Sequence, residues 1–201
     1  MRARSVAWVK TDPLGVEFAE VALTRDRLAA TGVAIGSKPV PYRLDYSLET
    51  RRGFVTARLR ATARGQGWRR RLDLRRAPSG AWTIAASSEG DAPLPPPGGE
   101  VALLAEALDC DLGLSPMTNT PPVLRHGLRR GGDPVDIRAA WVSVPDLGVR
   151  LAAHRYSFVR RDGERSVIRF AEAGGGFSAD LTFDEDGLGV DYPELARRIG
   201  G

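Results

Sequence analysis

The segment Phe54–Ala63 has the sequence FVTARLRATA, in which apolar and polar residues alternate. On an extended chain Val55, Ala57 and Leu59 point to one side, while threonine and arginine point to the other. A period of two predicts a β-strand with one buried face and one face in water. Similar strands are predicted at Trp68–Leu74, Ile137–Val144, Val149–Val159, Val167–Ala171 and Phe177–Phe183. The chain is therefore predicted to be all-β.

Helical signals are sparse and local. Val101, Leu104 and Leu108 could share one helical face. Pro193 suits the first turn of a helix, with Glu194 near its positive end and the pair Arg197-Arg198 near its negative end. We expect a short C-terminal helix there.

One segment looks like a connection between two β-rich halves. Residues Ser87–Gly99 are rich in serine, proline and glycine and offer little apolar surface. We therefore expect a single domain over residues 1–201, with halves at about 1–86 and 100–201 joined by a flexible stretch over 87–99.

The two halves share short sequence matches. Trp8-Val9 followed by Leu14-Gly15-Val16 matches Trp141-Val142 followed by Leu147-Gly148-Val149, at an offset of 133 (141 minus 8). Tyr46-Ser47-Leu48 matches Tyr156-Ser157-Phe158, at an offset of 110 (156 minus 46). The matches predict an internal duplication in which residues 24–41 are an extra loop. Chance similarity between amphipathic strands is the alternative.

The amino-acid composition limits which cellular compartment and which kinds of binding partner are expected. Cys110 is the only cysteine, so the chain can form no internal disulfide and no thiolate cage for a metal. No segment reaches the roughly 20 apolar residues of a membrane span, and we expect a cytoplasmic protein. The net charge of the chain is +4. Pairs of adjacent arginines are scattered along the sequence among 25 acidic residues. This favours a solvated surface over a nucleic-acid interface, which stays open as an alternative.

Periodicity does not explain the block Leu108–Pro122, which has the sequence LDCDLGLSPMTNTPP. It resembles the central signature of the bacterial "putative glycolipid-binding" family, an Asp-x-Asp-Leu stretch followed by Ser/Thr-Pro-x-Thr-Asn-Thr-x-Pro. The segment Gly187–Leu195, with the sequence GLGVDYPEL, resembles that family's C-terminal motif. Weaker matches at Gly15-Val16-Glu17 and at Tyr46 extend the resemblance over most of the chain.

The resemblance implies a strongly curved antiparallel sheet, a spiral β-roll akin to the half-barrels of bacterial lipoprotein carriers. It also implies capture of an amphipathic small molecule of the glycolipid type, without catalysis, cofactor or metal. On this basis the expected ligand-binding residues are Glu17, Tyr46, Asp109, Asp111, Thr118, Asn119, Arg125, Tyr156 and Tyr192. Arg125 is expected at the mouth of a cavity, available to an anionic headgroup.

The polar residues of the central block leave alternatives open. On a strand, Asp109 and Asp111 would point to one face about 6 to 7 Å apart. They would pair with arginine or loop amides, or act with His154 in a hydrolase. Prolines on both sides exclude Thr118-Asn119-Thr120 from a helix interior or a central strand, so an ordered loop is predicted. Its side chains would contact ligand or cap their own backbone.

Overall fold

The computed structural model describes residues 1–200, which form one curved, unclosed sheet of 14 strands. In chain order the strands are β1 (Arg2–Lys10), β2 (Gly15–Leu23), β3 (Leu28–Gly36), β4 (Tyr42–Thr50), β5 (Thr56–Gly65), β6 (Trp68–Arg76), β7 (Trp82–Gly90), β8 (Asp109–Leu112), β9 (Val135–Val142), β10 (Val149–Asp162), β11 (Arg165–Glu172), β12 (Ser178–Phe183), β13 (Gly189–Tyr192) and β14 (Ala196–Ile199). Their order across the sheet is β7-β6-β5-β4-β3-β2-β1-β14-β13-β12-β11-β10-β9-β8. Among these 14 strands, only β8 and β9 pair in parallel. The structure confirms the all-β, strongly curved antiparallel sheet.

Alternation along the strands produces a buried inner face. In β4, which has the sequence YRLDYSLET, Leu44 and Leu48 are buried, while Arg43 and Glu49 are exposed. Burying a leucine side chain contributes roughly 1.5 to 3 kcal/mol, so these inner positions set the register of the strand. The same pattern along the neighbouring strands fills the concave side of the first half with apolar side chains.

The predicted extra loop over residues 24–41 is wrong, because half of it is the strand β3. After Leu28, the inner positions of β3 carry only alanine and glycine. A Cβ atom on Gly32 would lie 2.3 Å from the ring of Tyr46, and one on Gly36 would lie 2.5 Å from the ring of Tyr42. The tyrosines of β4 therefore lie over β3, which explains why a strand here lacks the usual large residues.

The main helical segment lies inside the central block and not at the C-terminus. A 3-10 turn, Pro116–Asn119, leads directly into the helix α1, Thr120–Arg125. The loop predicted for Thr118-Asn119-Thr120 is therefore wrong: the prolines stand in first turns, where no backbone donor is needed. Two further 3-10 turns are Arg52–Phe54 and Val101–Leu104. No helix within residues 1–200 has the length and apolar character needed to cross a bilayer.

The predicted C-terminal helix is also wrong. Ala196–Ile199 is the strand β14, which pairs with β1 at Ala7 to Lys10. Local propensity is overridden here because β1 would otherwise expose an unpaired edge in the middle of the sheet.

The connection between the halves is shorter than predicted. Ser87 to Gly90 complete β7 and pair with β6. The Gly98 N–H donates to the carbonyl of Leu147 at 2.9 Å, and the Val149 N–H donates to the carbonyl of Gly98 at 2.7 Å. Residues 91–97 remain between these anchors, and their flexibility stays a prediction.

The repeated sequences are equivalent in one place only. Trp8 on β1 and Trp141 on β9 each pair with the residue nine positions later (17 minus 8 and 150 minus 141). Their hairpins therefore share a register. Tyr46 lies on β4, whereas Tyr156 lies on β10, the partner strand of the second hairpin. The prediction that both aromatic pairs occupy matching positions is wrong for the tyrosines.

Candidate ligand-binding cleft

The structure places the expected ligand-binding residues on the sheet and on the helical segment packed against it, where eight of them form four hydrogen-bonded pairs. Most of them are buried and bonded to one another. They are Glu17, Tyr46, Asp109, Asp111, Thr118, Asn119, Arg125 and Tyr156, with Tyr192 at the edge of an open cleft nearby.

Glu17 and Tyr46 belong to a closed buried network. Glu17 Oε1 accepts hydrogen bonds from Tyr46 Oη at 2.8 Å and from Ser115 Oγ at 2.6 Å. Lys10 Nζ lies 3.0 Å from Glu17 Oε2. Burial and the Glu17 charge raise the pKa of Tyr46 well above its usual value. This network ties the helical segment to the first half of the sheet, because Ser115 directly precedes the 3-10 turn.

Asp109 is neutralised by Arg125. The guanidinium donates from Nη1 to Asp109 Oδ1 at 2.7 Å and from Nη2 to Oδ2. Only 12% of the Arg125 side chain and 3% of the Asp109 side chain are exposed. A two-point contact of this kind fixes both groups, so the Arg125 guanidinium is engaged within the protein.

Asp111 is the more open of the two carboxylates. Thr118 Oγ1 donates to Asp111 Oδ1 at 3.0 Å, and His154 Nε2 lies 3.4 Å from Oδ2. Burial raises the pKa of Asp111, while His154 and the Thr118 hydrogen bond act in the opposite direction. The His154 ring packs 4.8 Å from that of Phe170, and neither of its nitrogens has a hydrogen-bond partner within residues 1–200. This leaves a carboxylate and an imidazole with free bonding capacity side by side.

Asn119 joins the helical segment to the second half of the sheet. Its Oδ1 accepts a 2.6 Å hydrogen bond from Tyr156 Oη. Both residues are buried, and burial raises the pKa of Tyr156 well above its usual value. The contact satisfies a phenol that would otherwise be buried without an acceptor.

An open cleft of about 430 Å³ lies at the sheet end where the β1–β2, β9–β10 and β13–β14 turns meet, and it is lined by Trp141, the strand partner of Asp111. Its apolar walls are Leu114, Trp141, Val144, Phe177, Tyr192 and Leu195, and its polar rim is Asp12, Ser143 and Glu194. We call this the aromatic cleft.

Aromatic side chains define the geometry of this cleft. The rings of Phe177 and Tyr192 are 6.2 Å apart, and the Arg150 guanidinium lies 4.3 Å from the Trp141 ring. Asp111 is the partner of Trp141 in the β8–β9 pairing. Burial raises the pKa of Tyr192, and the charge of Asp111 adds to that effect. Carboxylate and aromatic surfaces are thus adjacent.

Sequence reasoning missed Trp141, Phe177 and Ser115 as site residues. Aromatic residues at inner strand positions are typical of a core, and nothing local distinguishes one that lines an opening. The exception was the repeated Trp-Val sequence, which marked Trp141 without showing that it lines a cleft.

The chain matches one family model and one solved structure. The model described as "Putative glycolipid-binding" matches residues 5–198. The crystal structure of a DUF1089 family protein from Pseudomonas aeruginosa is similar at 28% identity, covering 91% of this chain and 92% of that one, with a TM-score of 0.69. No curated protein matches the chain. The family match spans nearly the whole sequence, and the chain therefore belongs to the "Putative glycolipid-binding" family.

Proposed function

We propose that the protein binds an amphipathic molecule with a hydroxyl-bearing headgroup, such as a glycolipid, in the aromatic cleft. The observation that carries this proposal is the position of Asp111 beside Trp141 and Tyr192. Apolar ring faces suit the carbon faces of a sugar or an alkyl chain. A carboxylate accepts hydrogen bonds from hydroxyl groups, so the two surfaces together match both parts of such a ligand.

The cleft has a suitable size and composition. Its volume of about 430 Å³ falls within the range of roughly 300 to 1,000 Å³ that is usual for small-molecule sites. The inner face of the first half of the sheet is filled by Trp8, Leu48 and Leu59, each at most 1% exposed. An acyl chain is therefore expected at the cleft and not along the concave face of the first half.

Intrinsic fluorescence tests this proposal. Trp141 lines the cleft, whereas Trp8, Trp68 and Trp82 are at most 8% exposed. We expect dodecyl maltoside, titrated below its micelle concentration, to shift the emission of the native protein, and Trp141→Phe to abolish the shift. Maltose alone should bind much more weakly. An unchanged spectrum, or an equal shift in Trp141→Phe, would count against the cleft.

We further propose that binding is non-catalytic. Asp109 is paired with Arg125, so the spacing of the two aspartates does not provide two free carboxylates. A hydrolase is the second candidate, favoured by the 3.4 Å approach of His154 to Asp111. Turnover of aryl glycosides or esters that varies with pH and disappears in Asp111→Asn would favour the hydrolase.

A further inference from the structure

A second groove lies at the opposite end of the sheet from the aromatic cleft. It has a volume of about 690 Å³ and lies beside the β2–β3 turn and the β12–β13 turn. Its walls are apolar at Leu23, Phe54 and Leu124, and its mouth carries Arg25, Arg129 and Arg130. We call it the arginine groove.

The positive charge of this groove is not balanced by nearby carboxylates. Glu185 and Asp186 also line it, but both are taken up by Arg2, whose nitrogens lie 2.6 Å from a carboxylate oxygen of each. Within residues 1–200, the guanidinium groups of Arg25 and Arg130 have no ion pair and no hydrogen bond. An arginine without a partner at a concave surface is a ready site for a carboxylate or phosphate group.

The surroundings of Arg129 also favour the binding of an anion. Its guanidinium donates to the carbonyl oxygen of Glu185. Burial lowers the pKa of Arg129, and the charge of Arg130 lowers it further, against the opposing effect of Asp184 and Asp186. Crowded positive charges of this kind favour an incoming anion.

The apolar wall is held by unusual backbone geometry. Phe54 has a φ of 58°, a left-handed conformation that is uncommon for an aromatic residue, and follows Gly53 at 73°. Its N–H donates to the carbonyl of Asp26 at 3.1 Å, which fixes the ring beside the β2–β3 turn. Strained backbone of this kind concentrates where a side chain must be placed for binding.

We propose that the arginine groove binds an anionic amphiphile. Its carboxylate or phosphate group contacts Arg25 and Arg130, and its alkyl chain lies against Leu23, Phe54 and Leu124. The apolar wall favours this class over free phosphate and over nucleic acid, for which arginines alone would suffice. The arginine groove is separate from the aromatic cleft, so this proposal does not depend on the function proposed above.

Calorimetric titration of the full chain tests the proposal. We expect dodecyl phosphate, below its micelle concentration, to bind tightly, and inorganic phosphate and dodecyl maltoside to bind this groove weakly or not at all. The double variant Arg25→Gln/Arg130→Gln should bind dodecyl phosphate about tenfold more weakly or worse, through loss of charge-assisted contacts. Trp141→Phe should retain the binding, which separates the groove from the cleft.

A control variant removes one charge far from the groove. Arg60, on the exposed face of β5, also has no ion pair within the described part of the chain, and Arg60→Gln should leave affinity within about twofold. Shortening the ligand to octyl phosphate should weaken binding severalfold, because less apolar surface is buried. Equal affinity for inorganic phosphate would reduce the groove to a simple anion site and overturn the proposal. Tighter binding of duplex DNA, lost in the same double variant, would replace it with nucleic-acid binding.

Discussion

Asp111 combines burial with an incomplete set of partners. Its raised pKa means that the fold favours the protonated carboxyl group over the carboxylate. The stabilisation of the protonated form is fully present below the ordinary pKa of 3.8 and is lost as the pH rises through the raised value in the folded state. Above that pH, the protein keeps a poorly solvated carboxylate next to Trp141, which lines the aromatic cleft.

This predicts a pH-dependent effect of Asp111→Asn. The amide keeps the shape and can still accept from Thr118, but it never ionises. The free energy of unfolding of the variant, relative to the native protein, should therefore increase as the pH rises from about 4 to 7. Urea titrations at several pH values measure this difference. Asp136→Asn is the control: its side chain is 75% exposed, so its effect on the free energy of unfolding should change little with pH. If the free energy of unfolding of Asp111→Asn, relative to the native protein, stayed constant or fell with rising pH, the prediction would be contradicted.

Asn119 has a structural contact that can be measured directly. Replacing it with alanine leaves the buried Tyr156 hydroxyl without its acceptor, which should lower the free energy of unfolding by about 1 to 3 kcal/mol. Adding Tyr156→Phe should recover part of that loss, because the orphaned hydroxyl is gone. Denaturant unfolding of the two single variants and the double variant gives the coupling free energy between Asn119 and Tyr156. Strictly additive effects would show that the hydrogen bond contributes nothing.

At the level of single elements, β3 shows how a strand can depend on the absence of side chains. Gly32→Ala would place a methyl group 2.3 Å from the ring of Tyr46 and displace the phenol from Glu17. We expect a loss of about 1 to 3 kcal/mol in the free energy of unfolding. Thr31→Ala, on the exposed face of the same strand, should stay within about 0.5 kcal/mol. Thermal and urea unfolding measure the stability of both variants. If Gly32→Ala left the free energy of unfolding unchanged, Tyr46 would be free to move away from β3.

The same elements show what the sequence could predict. Strands with one wet face, such as β5 and β10, have a period of two and were predicted from it. β3 was missed because its inner residues are matched to the tyrosines of β4, and β14 was missed because four residues carry too little pattern. The central block was recognised by its motif, yet its contacts are long-range: Ser115 and Glu17 are 98 residues apart. No local period encodes such a pair, so the buried network around Glu17 could not be predicted.

Over the whole molecule, the order of the strands in the sheet follows their order in the chain with a single break. Read from one edge, the strands run β8 to β14 and then β1 to β7, so every neighbouring pair except β14 and β1 is also consecutive in sequence. That one pair joins the two halves at the centre of the sheet. Pairing strands that are far apart in sequence is slow, because loop-closure entropy opposes it.

A circular permutant should therefore fold faster than the native chain and reach the same structure. Opening the chain within residues 91–97 and joining residue 200 to residue 2 through a short glycine-serine linker makes all 14 strands consecutive. The Ala7–Ile199 pairing places Ile199 about 17 Å from Arg2 at roughly 3.3 Å per residue, which a linker of about eight residues after residue 200 can span. Stopped-flow refolding should give a larger rate constant, with the Trp141 response to dodecyl maltoside retained. A permutant that folds no faster would show that closure of the β1–β14 pair does not limit folding, and one that loses the Trp141 response would show that residues 91–97 must be continuous for the cleft to form.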